Sequence, residues 1–471
     1  MESTGTTGRN RVRIGIFGIG LAAYWPQFLG LREGIELETA RIRDRIAAWG
    51  DIVDGGIVDS ASSGVDLGER FASERVDLVM CFVGTYSTST QVLPVAQRSG
   101  VPIVLLNLQP IPAMDYATAD TTMALQNAGV CAVPELAGVF ARAGISYGIV
   151  TGHLRDESIW ENVRGWCLAA RAAKLVRQGR FGMLGHTYPG MLDMSTDVEQ
   201  VAGAFGAHVE ILEIDDLKDR VDAATDPEIS AMDEVFGERF AIASDISPEV
   251  RKWGVQVAVA LDRLAKDFAL DGLAYYYRGT AGDLIEQIAS SMIVGNTLLT
   301  ERGVPAAGEG DLKTAIAMKI VHELEAGGSF CEFCAMDFNE KFFVMGHDGP
   351  CHPFVAEGKV TLKELSIFHG KKGGGLSVEM RAKSGPITIM GLTQTRDGRF
   401  RMLIAEGESL PGPILNIGNS NHRLRFCDDL AGFLETWCAQ GPTHHVALGL
   451  GHIARDLKRV AMLLGIEAVQ V

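Results

Sequence analysis

Short, uninterrupted apolar segments separated by helical segments constrain the fold of this chain most strongly. Residues 78–83 and 101–106 are apolar throughout, and residues 12–18 are apolar except for Arg13. A helical stretch at 90–98 lies between the second and third of these segments. Strands buried on both faces and alternating with helices are typical of a parallel sheet covered by helices. The first part of the chain is therefore predicted to be a Rossmann-like α/β domain with binding groups at the strand ends.

The same order of elements recurs once and is then replaced by short strands. Strands at 181–186 and 272–277 flank a helix at 255–268, which predicts a second parallel sheet. After about residue 327, strands such as 386–393 and 400–406 are separated by turns, a pattern typical of an antiparallel sandwich or barrel.

The predicted fold class is α/β, with two Rossmann-like α/β domains followed by a C-terminal antiparallel β-barrel or sandwich domain. A chain of 471 residues is too long for one ordinary domain. We place the domains at residues 1–179, 180–326 and 327–471.

Charge and cysteine usage narrow the functional class. The formal charge of −16 disfavours binding to nucleic acid or to an anionic membrane surface. The sequence contains no apolar run of 18 residues, so no transmembrane helix is predicted. Eight cysteines scattered through apolar segments fit reduced thiols in the cytoplasm. The spacing Cys331-x2-Cys334-x12-His347-x3-Cys351 also matches a structural zinc site. However, the first two cysteines would point to opposite faces of a strand, so buried free thiols are the simpler interpretation.

Two carboxylates stand out in the stretch 307–353. Glu309 lies in a Gly-Glu-Gly-Asp turn before a predicted helix, Glu332 lies in an apolar strand-like run, and His347 ends the next strand. Carboxylates combined with imidazoles suit a divalent metal such as Mn²⁺. Glu309 could instead cap the helix, a role that Asp311 fills equally well. Glu332 is costly to bury in an apolar run without a cation or strong donors.

The histidines leave alternatives open. His347 taken alone fits a turn histidine as well as a metal ligand. In the pair His444-His445, one side chain must face away from the other if both lie on a strand, so at most one of them ligates easily.

The segment Gly18-Ile-Gly20-x-x-Ala23 after the first strand matches the dinucleotide fingerprint in form. It is the basis of an alternative function, an NAD-dependent sugar dehydrogenase. Against it, Tyr24, Trp25 and Pro26 stand where a helix should pack on the strand, and the ribose-binding acid is not clearly placed. A plain glycine turn explains the same residues.

Several of these motifs together resemble the L-arabinose isomerase family and, more distantly, the L-fucose isomerases. The similarity is faint in the first half of the chain and specific in the second, and two of its elements, those at 327–332 and 346–347, are one residue shorter here. The matching segments are Gly308-Glu-Gly-Asp-Leu-Lys-Thr-Ala315, Gly327-Gly-Ser-Phe-Cys-Glu332, Gly346-His347 and Gly441-Pro-Thr-His-His445.

The resemblance implies a metal-dependent aldose–ketose isomerase. Mn²⁺, or Mg²⁺ or Co²⁺, would be held by Glu309, Glu332, His347 and His445. Glu309 and Glu332 would move a proton between C1 and C2 of a sugar through a cis-enediol. A cytoplasmic homo-oligomer, trimeric or hexameric, with no nucleic-acid or membrane partner is implied as well. A non-catalytic sugar-binding protein of the same fold is the alternative.

Departures from the family pattern affect the sugar contacts. The polar Gln and His of the family's N-terminal motif are missing, Cys131 stands where a family histidine reaches the neighbouring subunit's sugar, and Asp348-Gly-Pro-Cys-His352 replaces the family's Met-Leu-Glu-Val-Cys-Pro. We therefore predict a substrate other than primarily L-arabinose. The candidate substrate contacts, all at strand ends or turns, are Tyr24, Trp25, Gln109, His186, Tyr277 and Asp348.

Overall fold

The computed structural model describes residues 11–280, 282–365 and 374–471. The chain divides into two compact units, Met1–Lys174 and Leu175–Val471. No helix in the described ranges is both long and apolar enough to cross a membrane. All eight cysteines are free thiols.

The first unit is built on a five-stranded parallel sheet in the order β2-β1-β3-β4-β5, which confirms the predicted α/β architecture. Its strands are β1 (Arg13–Ile19), β2 (Asp51–Val58), β3 (Leu78–Phe82), β4 (Ile103–Gln109) and β5 (Tyr147–His153). The helices are α1 (Leu31–Ile46), α2 (Ala61–Ser73), α3 (Ser89–Ser99), α4 (Thr121–Gln126), α5 (Val133–Ala143) and α6 (Glu157–Arg177). The sequence did not reveal β2 because this edge strand is half-exposed and carries aspartates and glycines.

The second unit begins with a four-stranded parallel sheet in the order β10-β9-β6-β7. The strands in this part of the chain are β6 (Arg180–Gly185), β7 (His208–Leu212), β8 (Ala241–Ile242), β9 (Gly272–Tyr276) and β10 (Ala306–Ala307). The helices are α7 (Val198–Phe205), α8 (Ile214–Asp222), α9 (Asp226–Arg239), α10 (Pro248–Asp267), α11 (Leu284–Ala289), α12 (Ile293–Glu301) and α13 (Leu312–Glu323).

The end of the chain forms a closed, six-stranded antiparallel barrel, so the barrel alternative of the sequence prediction is the correct one. Its strand order is β15-β18-β11-β12-β17-β16, with β16 pairing back onto β15. The barrel strands are β11 (Gly327–Asp337), β12 (Phe342–His347), β15 (Gly385–Gln394), β16 (Phe400–Ser409), β17 (Ser420–Arg425) and β18 (His445–Leu450).

The remaining elements extend or cover this barrel. A short strand adds to β16 in parallel, and a separate three-stranded sheet has the order β14-β13-β8. These elements are β13 (Thr361–Leu365), β14 (Gly375–Glu379), β19 (Glu467–Gln470), α14 (Leu430–Ala439) and α15 (Ala454–Leu464). A core of buried apolar side chains that includes Phe343, Leu403 and Leu448 fills the space inside.

Helix α13 joins the parallel sheet to the barrel. It follows β10 after residues 308–311 and is joined to β11 by residues 324–326. It contacts β11, β15 and β18. Nearly every one of its residues is buried, which is expected for a helix enclosed on all sides. The helix therefore fixes the position of the turn at its N-terminus relative to β11 and β18. The domain boundary at 326/327 stays a prediction, since both parts belong to one compact unit.

Candidate active site

The turn between β10 and α13 carries the first carboxylate. Glu309 has φ +60°, a left-handed conformation that non-glycine residues adopt only at an energetic cost. The next residue must be glycine: Gly310 has φ +72°, and a Cβ there would lie 2.6 Å from the carbonyl oxygen of His186. The Tyr188 N–H donates to the Glu309 carbonyl oxygen at 2.9 Å. The Gly-Glu-Gly sequence thus holds Glu309 in a fixed, strained turn.

Asp311, and not Glu309, caps helix α13. Its Oδ1 accepts from the Thr314 N–H at 3.0 Å. Its Oδ2 lies 3.0 Å from Nδ1 of His445, and both side chains are fully buried. Burial raises the pKa of Asp311, but hydrogen bonds from His445 and Thr314 outweigh burial and lower it. An ionised Asp311 makes His445 Nδ1 the donor and leaves the Nε2 lone pair to coordinate.

Three barrel strands supply the second carboxylate and the other imidazole. On β11, Glu332 pairs with His445 of β18 on one side and with Gly346 of β12 on the other. His347, at the end of β12, has its Nε2 3.9 Å from Glu332 Oε1 and 3.2 Å from His445 Nε2. The Glu332 side chain is 33% exposed, so the predicted cost of burying it was overestimated. Its position rests on strand register rather than on burial.

His444 also faces this group, although at most one of the two adjacent imidazoles was expected to do so on a strand. Because β18 begins at His445, His444 lies outside the strand, and the two rings stand side by side with centroids 3.9 Å apart. Asp193 Oδ2 accepts from the His444 backbone N–H at 3.0 Å and lies 2.7 Å from its Nδ1. The Glu309 carboxylate, 3.7 Å from Nε2, raises the pKa of His444 to about 9; burial opposes this shift and Asp193 reinforces it.

These side chains form two overlapping groups with the character of a metal site. One group is Glu309, His347 and His445, the other is Glu332, His444 and His445, and within each the ligand atoms lie within 4.8 Å of one another. Neither group, found among the described residues, includes a cysteine, which gives the zinc interpretation of Cys331, Cys334 and Cys351 no support.

The donor atoms fit a divalent cation on physical grounds. Glu309 Oε2 is buried without a hydrogen-bond partner in the described part of the chain, 3.6 Å from His445 Nε2 and 3.7 Å from His444 Nε2. A buried carboxylate oxygen in that state is costly, and two imidazole nitrogens facing each other at 3.2 Å repel unless a proton or a cation lies between them. Carboxylate and imidazole ligands suit Mn²⁺ and related ions.

A cavity of about 180 Å³ opens beside these ligands, within the second unit. Glu309, Glu332, His347 and His444 line one part of it. The rest of the wall is aromatic, aliphatic and acidic, formed by Tyr188, Met191, Tyr275, Tyr276, Tyr277, Ala289, Met292, Ile293, Gly308 and Asp348. It is smaller than the roughly 300–1,000 Å³ typical of pockets for drug-sized ligands.

Two of the six predicted substrate contacts, Tyr277 and Asp348, line this cavity. His186 is exposed and lies in a neighbouring cleft that shares Tyr277 with it. The His186 ring packs edge-on against Tyr276 with centroids 5.3 Å apart. The roles of these residues as substrate contacts stay predictions.

Tyr24, Trp25 and Gln109 belong to the first unit. Trp25 Nε1 donates to Asp59 Oδ2 at 2.8 Å, the Tyr24 ring packs edge-on against Phe28, and Gln109 Nε2 donates to the carbonyl oxygen of Ile111 at 3.3 Å. Their proposed contact with a sugar also stays a prediction.

The glycine turn of the first unit departs from the dinucleotide fingerprint. A Cβ at Gly20 would lie 2.2 Å from the Trp25 indole, so this ring already occupies the space above the turn. Helix α1 begins only at Leu31, whereas the fingerprint requires a helix N-terminus at the turn. Nothing here favours a bound nicotinamide cofactor.

Asp193 and Lys313 are site residues that the sequence analysis missed. Buried Lys313 donates from Nζ to the carbonyl oxygens of Asp193, at 2.6 Å, and Ser195, at 3.3 Å, and so anchors the turn that holds His444. Asp193 and His444 are 251 positions apart, and no local pattern links them.

Comparison with known proteins finds similarity to sugar isomerases. The sequence model of the L-fucose isomerase C-terminal domain matches residues 354–471. The L-arabinose isomerase of Clavibacter sepedonicus is 22% identical over 393 residues, which cover 81% of this chain and 77% of that one. Those of Acidothermus cellulolyticus and Klebsiella pneumoniae are 24% and 25% identical, cover 79% and 78% of this chain, and are each matched over 75% of their own length.

Proposed function

Because this chain is a divergent member of the L-arabinose isomerase family, we propose that it is a metal-dependent aldose–ketose isomerase. The observation that carries the proposal is the convergence of two glutamates and three histidines beside one small cavity. The size of the cavity favours a single free sugar.

Glu309, Glu332, His347 and His445 are the proposed ligands of the ion, with Mn²⁺ the first choice and Mg²⁺ or Co²⁺ as alternatives. When bound, such an ion polarises a sugar carbonyl and so acidifies the proton on the neighbouring carbon. Asp311 fixes the tautomer of His445, and the Phe330 ring packs against both His347 and His445 with centroids 4.5 and 4.4 Å away. The ligands are therefore held in place by the protein itself.

The two glutamates are the proposed proton carriers. A carboxylate acts as a base when it lies within hydrogen-bond reach of the proton that it removes. One glutamate takes the proton from C2 of the open-chain aldose, O1 gains a proton, and the cis-enediol forms. The proton is then returned to C1 while O2 loses its own, which leaves a carbonyl at C2. His444, held by Asp193, presents Nε2 beside Glu309, where it can donate to a substrate oxygen.

The altered sugar-contact positions support a substrate other than primarily L-arabinose. A far higher kcat/KM for L-arabinose than for other pentoses, hexoses and tetroses would contradict this part of the proposal. A cytoplasmic location and a trimeric or hexameric assembly are proposed from the family alone.

The test is ketose formation from an aldose panel by protein dialysed against EDTA, with and without added Mn²⁺. We expect turnover only with metal and a roughly 10³-fold lower kcat/KM in Glu332→Gln, because it removes one of the proton carriers. Glu435→Gln, on the exposed face of α14, is the matched control and should match wild type. Turnover that is unaffected by EDTA, or by Glu332→Gln, would refute the mechanism.

A further inference from the structure

Asn296 carries a buried amide next to the cavity, and the proposed chemistry does not use it. The residue lies in the interior of α12, and its side chain is fully buried. Within the described part of the chain, neither its Nδ2 nor its Oδ1 makes a hydrogen bond of normal geometry. A buried polar group in that state is costly, so this amide is expected to serve a group outside its own helix.

Helix α12 directs this amide toward the cavity. Met292 and Ile293 line the cavity, and Asn296 follows them by one helical turn, which places it on the same face of the helix. On another face, a Cβ at Gly295 would lie 2.9 Å from Cα of Ala258, so α12 is packed closely against α10. The direction of the amide is therefore set by the packing of the helix.

The phenol of Tyr275 links the amide to the cavity. Tyr275, near the end of β9, lines the cavity, and its ring packs against an apolar core that includes Leu261. Burial raises the pKa of Tyr275, and the amide of Asn296 opposes this effect. The charges of Asp348 and Glu309 raise the pKa further. The phenol therefore keeps its proton, and its hydroxyl lies near both the amide and the carboxylates of the cavity wall.

The amide and the phenol together suit a hydroxyl group. A primary amide and a phenol each act as donor and as acceptor. A hydroxyl has both roles as well, so it completes a chain from amide through phenol to ligand in either direction of donation. An anionic group is disfavoured, because Asp348 and Glu309 lie on the same wall. The hydroxyls of an aldose beyond C2 are free for this contact, since the proposed reaction occurs at C1 and C2.

We propose that Tyr275 determines substrate choice through a hydrogen bond between its phenolic oxygen and one hydroxyl of the aldose beyond C2, with Asn296 as the positioning residue that holds the phenol. This inference rests on the proposed isomerase function and adds two residues to it. Sites built to hydrogen-bond a substrate hydroxyl discriminate against the analogue without it, because a polar group of the site is then left unpaired.

The experiment measures kcat/KM for the best aldose of the panel and for its analogues deoxygenated at C3 and beyond, in wild type and in Tyr275→Phe. We expect Tyr275→Phe to lose about tenfold on the parent sugar, the usual effect of one neutral hydrogen bond. The analogue that lacks the contacted hydroxyl should lose less than about twofold. Tyr147→Phe, which removes a phenol from β5 of the first unit, is the matched control and should keep wild-type values on every sugar.

Asn296→Leu tests the positioning role, because leucine has a similar shape without polar atoms. It should lower kcat/KM for the parent sugar and spare the same deoxy analogue. In the Tyr275→Phe background it should add less than about twofold to the loss, since residues that act through one contact are not additive. A loss that is the same on all sugars, or that persists in full in the double variant, would overturn the role of Asn296.

For Tyr275→Phe, an equal loss on the parent and on every analogue would mean that the phenol only packs or holds a water molecule. That result, or no loss on the parent, overturns the proposal. Calorimetric binding of the alditols and deoxyalditols of the panel to Mn²⁺-loaded protein repeats the comparison without turnover. If no aldose reacts, the isomerase proposal fails, and the binding ratio still decides the role of Tyr275. Alditols that do not bind, or that bind wild type and Tyr275→Phe equally, overturn that role.

Discussion

Each unit of this protein places an aspartate against a nitrogen-containing ring beside a glycine turn, with opposite results. In the first unit, Asp59 accepts from Trp25 Nε1 at 2.8 Å, and the indole fills the space over Gly20. In the second, Asp311 holds His445 Nδ1 at 3.0 Å beside the Gly-Glu-Gly turn. An indole has one nitrogen, so once bonded it presents only hydrocarbon. An imidazole keeps a second nitrogen, which becomes available as a ligand.

The difference shows why a glycine motif is weak evidence on its own. Both turns follow a strand of a parallel sheet, and glycine in both permits a close approach of other groups. The chemistry depends on the side chain that enters the space. The three predictions below test this contrast between the turns and between the units that contain them.

The largest effect is expected from removing the charge that orients the ring in the second unit. Asp311→Asn should lower the affinity for Mn²⁺ by about 10- to 100-fold, since an amide can fix the wrong tautomer of His445. Calorimetry with the EDTA-treated protein measures this. Asp59→Asn is the matched control: it loses a partly exposed contact in the first unit and should keep wild-type Mn²⁺ affinity. Equal losses in both variants would show that the two aspartates act only through overall stability.

An intermediate effect is expected from acid. Burial lowers the pKa of His352 to about 3 and that of His422 to about 4, from 6.5. Between about pH 6.5 and 4, both histidines bind a proton in the unfolded chain but stay neutral in the native state. These two histidines therefore cost the second unit no stability above about pH 6.5, and each of them costs up to about 1.4 kcal/mol per pH unit as the pH falls below that value.

Urea unfolding followed by hydrogen exchange in peptides from each unit measures this slope. His422→Gln should reduce it by the share of one histidine. The first unit contains a single histidine, His153, so a slope that is equally steep there would contradict the assignment to the two buried imidazoles.

The smallest effect is expected at the turn of the first unit. Because the Trp25 indole occupies the space above Gly20, NADH should show no saturable binding, with a Kd weaker than about 1 mM. Titration of NADH fluorescence measures it. Saturable binding by the wild-type protein would contradict this prediction and favour the alternative function, an NAD-dependent dehydrogenase.

The outline of the fold was predictable because it follows from local patterns. Strand β3 is apolar over its whole length and β1 is apolar after Arg13. Short strands separated by turns predicted a barrel or a sandwich at the end of the chain. Edge strand β2 was not predicted, because its half-exposed residues include aspartates and glycines, which are typical of a loop. The sequence also predicted that β12 would end at His347 and that a turn would place Glu309 before a helix, since glycines mark both positions.

The sequence by itself determined which residue types stand at each strand end, since glycines, caps and apolar runs act within a few residues. It left open whether Glu309 or Asp311 caps α13 and whether the two imidazoles of the pair face the same way. Tertiary structure decided both questions, because the register of β18 against β11 and the buried Asp311 set the direction of each ring. Contacts such as Asp193 with His444 join residues 251 positions apart, and only the closed barrel and its covering helix bring such residues together.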